Sequence, residues 1–104
     1  MCGITGIINK NVAGNKENLA QMMHAINHRG PDSSDSYFFQ NCALGHLRLS
    51  IVDLKSGNQP MFAPNKQTAI VFNGEIYGFK KIREEFTNYN FQTSSDTEVI
   101  LALY

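Results

Sequence analysis

Charge is scarce in this chain, and what there is cancels. Only 17% of the 104 residues are charged, and nine basic side chains stand against nine acidic ones. No block of like charge is available to track a nucleic-acid backbone, and no basic amphipathic stretch suits a membrane surface. Long apolar runs are missing too. The longest, Val99 to Tyr104, falls far short of the ~20 residues that span a bilayer. The N-terminus lacks the basic start and apolar core of a secretion signal, so a cytoplasmic location is expected. There are only two cysteines, Cys2 and Cys42. They could pair, but two cysteines make no disulfide framework. Zinc takes about four ligands in local pairs, and Cys2, Cys42, His24, His28 and His46 include no C-x-x-C, so no metal is expected. The phosphate-loop pattern G-x-x-x-x-G-K-S/T is absent, and so are internal repeats and low-complexity tracts. What remains is a chain that is 42% hydrophobic, enough for at most one small globular domain.

The apolar pattern then divides the chain. Cys2 to Asn9 reads as a buried strand, with Ile4, Ile7 and Ile8 β-branched and Gly3 and Gly6 open to close approach. Asn11 to Asn15 reads as a polar turn. Next comes a helix that Asn15 can cap, with Glu17 in its first turn and Leu19, Met22, Met23 and Ile26 on one face. The methionines there read as core filling. The helix has to stop before Pro31. Ser33 to Asp35 continue a polar loop, and Ser36 to Gln40 form a short aromatic strand. Cys42 to Asp53 alternates strictly. Ala43, Gly45, Leu47, Leu49 and Ile51 share one face, and Leu44, His46, Arg48 and Ser50 share the other. Lys55 to Asn65 is a loop, Thr68 to Asn73 a strand, Phe79 to Phe86 a helix, and Phe91 to Thr93 a short strand. Ser95-Asp96-Thr97-Glu98 fits a capping box before the apolar run that begins at Val99. The last helix carries no stop signal, so the chain is expected to be cut within it.

Four places carry chemistry. A cysteine directly behind Met1 can become the first residue, which joins a thiol and a free α-amine on one carbon skeleton. Amines of this kind ordinarily titrate at about 8 and thiols at about 8.5, and an N-terminal amine is a known activating base for a nucleophile. The plain alternative is a cysteine packed as a small hydrophobe. Arg48 sits in an otherwise apolar strand and needs a partner, because an unpaired buried charge is costly. That partner is a protein carboxylate or the carboxylate of a ligand, which a guanidinium matches in bidentate geometry. Asn73-Gly74 is first a tight-turn signal. Its second reading is a pair of donors, a side-chain amide and a backbone N–H, for a developing oxyanion. Asp96 is stabilised at a helix N-terminus and could also accept an ammonium group.

These residues lie in a set of motifs that runs the length of the chain: Met1-Cys2-Gly3-Ile4-Thr5-Gly6, His28-Arg29-Gly30-Pro31-Asp32, Gly45-His46, Arg48-Leu49-Ser50-Ile51-Val52-Asp53, Gln59-Pro60, Asn73-Gly74-Glu75-Ile76-Tyr77 and Ser95-Asp96-Thr97-Glu98-Val99-Ile100. Each alone is weak, and together they are specific. The chain resembles the N-terminal part of the class II glutamine amidotransferases, which are N-terminal-nucleophile hydrolases. Within that family it is similar to the glutaminase domain of the asparagine synthetases. Leu49 to Asp53, and Pro31 behind His28-Arg29-Gly30, carry that branch assignment. The phosphosugar and phosphoribosyl branches have an aromatic residue after the arginine, and the β-lactam-forming relatives lack the cysteine.

The resemblance implies an α+β fold, a four-layer α-β-β-α sandwich, of which residues 1–104 are the N-terminal portion. It implies that Cys2 attacks the side-chain amide carbon of glutamine with its own α-amine as base. It also implies that Asn73 and Gly74 form the oxyanion hole, that Arg48 binds the α-carboxylate and that Asp96 binds the α-ammonium. Leu49, Ser50, Ile51 and Val52 would line the pocket, with Glu75 touching the substrate. His28 and Arg29 are expected as scaffold. A zwitterionic amino acid wants one cation and one anion, and acyl transfer wants a nucleophile, a base and oxyanion donors, so the implied roles agree with the residues. No cofactor is implied for this stretch. ATP, magnesium and aspartate are implied for a synthetase domain that is absent here, and a homodimer for the full-length protein. Two other readings stand beside it. One is an amidotransferase of the same branch with a polysaccharide or secondary-metabolite acceptor. The other is a non-catalytic truncated fragment, which would expose a large apolar face. Three positions depart from the family pattern: Gly78, where asparagine is frequent, Asp35, where glycine is common, and Leu47, which is more often polar.

Overall fold

Strand β1 (Gly3–Ile8) pairs antiparallel with β3 (Cys42–Arg48), which also takes β2 (Ser33–Phe38) on its other side. The computed structural model describes residues 1–50 and 57–104, so the far end of the expected strand Cys42 to Asp53 lies outside the described residues. In the register Gly3 faces Leu47 and Ile7 faces Ala43, while Phe38 also faces Ala43. The alternation read from β3 therefore sorts residues onto two working faces. On one face, helix α1 (Lys16–Ala25) and the short 3-10 turn before it bury Val12 and Leu19 against Ala43, with Ile7, Met23 and Phe38 around them. Fully burying a leucine is worth about 2 kcal/mol, well above the few tenths that helix propensity contributes per residue, so packing fixes this helix. The opposite face carries His46 and Arg48, both buried.

A second, two-stranded sheet pairs β4 (Met61–Phe62) with β5 (Ala69–Ile70). Helix α3 (Thr97–Leu103) covers it, with Leu101 packed on Met61 and Ala63 beside Ile70 and Tyr89. The rings of Tyr37 and Phe62 meet edge-to-face at 4.7 Å and join β2 to β4, a favoured aromatic geometry. Helix α2 (Phe79–Glu85) completes the described elements. The result is an α+β fold with two antiparallel sheets. No helix among the described residues is long and apolar enough to cross a membrane.

Several expectations need correction. β2 starts at Ser33 rather than Ser36, because the Asp32 N–H donates to the Arg48 carbonyl and opens the ladder early. The expected turn at 11–15 contains the 3-10 helix Val12–Asn15, and Asn15 makes no side-chain cap bond to α1. Met22 is turned outward and is 38% exposed. The loop expected over 55–65 contains β4, whereas the strand expected over 68–73 shrinks to Ala69–Ile70. Phe91 to Thr93 forms no strand. The N–H groups of Gln92 and Thr93, and the Thr93 hydroxyl, all donate to the Glu98 carboxylate at 2.7 Å. That same allegiance breaks the capping box. Ser95 Oγ accepts the Thr97 N–H at 3.2 Å, but Glu98 is committed to residues 92 and 93 instead of reaching back to Ser95.

Two glycines have local structural reasons. A Cβ on Gly30 would stand 2.3 Å from the main-chain carbon and oxygen of Leu47, so this glycine lets the chain after α1 lie directly on β3. Gly78 adopts φ +73° ahead of α2, in the left-handed region that glycine and asparagine tolerate best. Its departure from the family's asparagine is conformationally neutral. Gly30→Ala is expected to cost about 3 kcal/mol, because backbone cannot yield to the new methyl. The expected readout is a lower urea midpoint at unchanged m-value, and an unshifted midpoint would contradict the close approach.

Candidate active site

The register of β1 on β3 carries Cys2 to the end of β3. There the Leu49 N–H donates to Cys2 Sγ at 3.4 Å. From the other side Arg29 Nε donates to the Cys2 carbonyl at 3.1 Å. Arg48, on the face of β3 away from α1, donates through Nη1 to Asn58 Oδ1 at 2.9 Å. Asn73 and Gly74 follow β5. Asp96 precedes α3, and its Oδ2 accepts the Ile76 N–H at 2.9 Å, tying the loop after Gly74 to the start of the helix.

These pieces border one cleft of about 660 Å³, a volume typical of small-molecule sites. Of the residues expected from sequence, Cys2, Arg48, Leu49, Asn73, Gly74, Glu75 and Asp96 all line it. Ser50 does not. Its N–H donates to Asp32 Oδ2 at 2.7 Å, which draws it toward the motif that ends at Asp32. Ile51 and Val52 lie outside the described residues. Met1 also lines the cleft and is 72% exposed. Among the described residues, no group of three or more His, Cys, Asp or Glu side chains could hold a metal ion.

Three buried polar residues at the cleft received no role from the sequence: His46, Gln59 and Thr97. His46 had a signal, since it shares a strand face with Arg48. Burial pushes its pKa below the ordinary 6.5, the Phe72 main chain pulls the other way, and the Arg48 charge adds to the lowering. Its Nε2 is buried without a hydrogen-bond partner among the described residues. Gln59 and Thr97 stood inside motifs, but no pattern in the chain says that they meet. Gln59 Nε2 donates to Thr97 Oγ1 at 3.3 Å, and Gln59 Oε1 accepts the Phe72 N–H.

The cleft thus combines a thiol, a guanidinium, a carboxylate and an Asn-Gly pair. The profile of the family described as glutamine amidotransferase domain matches residues 1–104, the whole chain. The chain belongs to that family. Among individual relatives, it is 43% identical over 110 residues to asparagine synthetase [glutamine-hydrolyzing] 1 of Bacillus subtilis. It is 42% identical over 107 residues to asparagine synthetase B [glutamine-hydrolyzing] of Escherichia coli, and 40% identical over 106 residues to asparagine synthetase [glutamine-hydrolyzing] 3 of Arabidopsis thaliana. Each match covers 100% of this chain but only 17%, 19% and 18% of the respective relative. The chain therefore spans less than a fifth of their length.

The His46 environment has a pH consequence. A histidine whose folded pKa is depressed binds its proton more readily when unfolded, so its contribution to stability is present above about 6.5 and lost as pH falls below that value. Urea unfolding of the parent is expected to weaken from pH 7.5 to 5.5 more steeply than that of His46→Gln. Parallel slopes would remove His46 as the cause.

Proposed function

We propose that this chain is the glutaminase part of a glutamine-hydrolysing asparagine synthetase. The observation that carries the reading is the single cleft in which Cys2, Arg48, Asn73, Gly74 and Asp96 meet, at residues that also fit the family's motifs. The relatives, which are glutamine-hydrolysing asparagine synthetases, support the same branch.

The chemistry follows from the residues. Removal of Met1, which sits exposed at the cleft, frees the α-amine of Cys2. A glutamine enters with its α-carboxylate on Arg48 and its α-ammonium on Asp96, so the zwitterion meets one charge of each sign. Leu49 and Glu75 border the bound amino acid. The α-amine takes the thiol proton, and sulfur attacks the side-chain amide carbon. The oxygen of the tetrahedral intermediate accepts hydrogen bonds from the Asn73 side-chain amide and the Gly74 N–H. Such a donor is worth about 3 kcal/mol, because it acts where charge develops. The intermediate collapses, the nitrogen takes the proton held by the amine, and ammonia leaves a γ-glutamyl thioester. Water, deprotonated by the same amine, then attacks the thioester. The thiol is restored and glutamate departs.

The remaining length of the relatives is the proposed seat of ATP, magnesium and aspartate, whose adenylated side chain the ammonia would attack. Residues 1–104 are the proposed N-terminal portion of the glutaminase domain. The α1-backed sheet and the α3-backed sheet, joined through Tyr37 and Phe62, are proposed as parts of the two halves of a four-layer α-β-β-α sandwich.

Cys2→Ala is expected to lower glutamine hydrolysis by at least about 1000-fold while leaving the circular dichroism unchanged. Residual turnover within about tenfold of the parent would defeat the nucleophile assignment. Asn73→Ala is expected to lower kcat about 100-fold with little change in KM, and a loss confined to KM would remove it from the oxyanion hole. Intact mass spectrometry is expected to show the chain without Met1 in the active preparation.

A further inference from the structure

Gln59-Pro60 is a motif to which the proposed mechanism gives no work. Gln59 is nonetheless buried at 8% exposure, and both ends of its side-chain amide are used. Oε1 accepts the N–H of Phe72, the residue before Asn73, and Nε2 donates to the hydroxyl of Thr97, the residue after Asp96. One side chain therefore spans from the segment after β5, which presents the oxyanion donors, to the turn that presents the ammonium acceptor. A second tie closes the other end of the same loop, where Asp96 Oδ2 accepts the Ile76 N–H at 2.9 Å. Residues 72 to 76 are thus pinned to the first turn of α3 at both ends, and Asn73 and Gly74 lie between the pins.

We infer that Gln59 is a positioning residue that holds the Asn73-Gly74 donor pair in fixed register with Asp96. The inference rests on the glutaminase reading above and adds to it the part that sets the distance between the reacting end and the amino-acid end of the substrate. A side chain in this place has to accept the Phe72 N–H and engage the Thr97 hydroxyl at the same time while buried. An amide meets those demands, and glutamine has the reach. Space filling alone would not demand them, because an apolar residue of the same volume would serve. The expected consequence of losing the tie is specific. Oxyanion donors act only if they stand at hydrogen-bond distance, about 2.7–3.1 Å, from the place where charge develops, whereas ground-state binding through Arg48 and Asp96 tolerates a loosened loop.

The test uses the intact protein that contains residues 1–104, with two variants and two readouts. Gln59→Leu keeps the volume and removes both hydrogen bonds. Gln59→Glu keeps the reach and the acceptor for the Phe72 N–H, and the Thr97 hydroxyl can turn to donate to it. Gln59→Leu is expected to lower kcat for glutamine hydrolysis about 100-fold, with KM and the inhibition constant of glutamate changed less than about threefold. Gln59→Glu is expected to recover about tenfold of that loss. In hydrogen exchange, the Phe72 amide is expected to exchange about tenfold faster in Gln59→Leu, with the amides of α1 unchanged. A loss that falls in KM, unaltered exchange at Phe72, or faster exchange throughout α1 each overturns the positioning role. A parent protein that fails to hydrolyse glutamine overturns the proposed function instead, and the exchange measurement then still decides whether Gln59 holds the loop.

Discussion

The antiparallel pairing of β1 with β3 is the interaction on which the site depends. Its register, Gly3 opposite Leu47 and Ile8 opposite Cys42, fixes where the residue ahead of β1 must lie, and that residue is Cys2. A slip of one residue would turn every side chain of β1 to the opposite face, and Ile7 would leave the core that Val12, Leu19 and Ala43 build. The hydrophobic cost of that slip protects the register. Burial on the α1 face of the sheet therefore holds the thiol in place beside the Leu49 N–H, although none of the residues in that core borders the cleft.

The second half of the site is assembled differently. It has no long ladder. β4 and β5 are two residues each, and the segment that bears Asn73 and Gly74 has left the sheet. Side chains take over the role of the ladder: Gln59 receives the Phe72 N–H, Asp96 receives the Ile76 N–H, and Thr97 engages Gln59. Buried polar groups need partners, and here the partners come from distant parts of the sequence. The first turn of α3 is the common frame. It bears Asp96 and Thr97, and it is seated by Leu101 on the second sheet and by Glu98 on residues 92 and 93.

This division explains what the sequence could disclose. The first sheet was legible because strict alternation from Cys42 to Arg48 and the apolar face of α1 are periodic signals, and burial turns period into structure. The cleft residues were legible through motif chemistry: a cysteine behind Met1, an arginine in an apolar strand, an Asn-Gly pair and an aspartate at a helix start. The links between them were not. Gln59 reaching Thr97, or Glu98 choosing Thr93 over Ser95, are contacts that no local period encodes. The same reason undid the strands expected at 91–93 and over the whole of 68–73, whose composition was right but where side chains claimed the N–H groups of Gln92, Thr93 and Phe72.

The choice made by Glu98 has a further effect, on how this molecule behaves among its copies. A segment such as Phe91-Gln92-Thr93, held extended with open N–H groups, is the kind of edge onto which a neighbouring chain can zip and begin to aggregate. A buried carboxylate that accepts both the Gln92 and the Thr93 N–H closes that edge from within. The acid that stabilises the approach to α3 thereby also occupies two donors of a potential template.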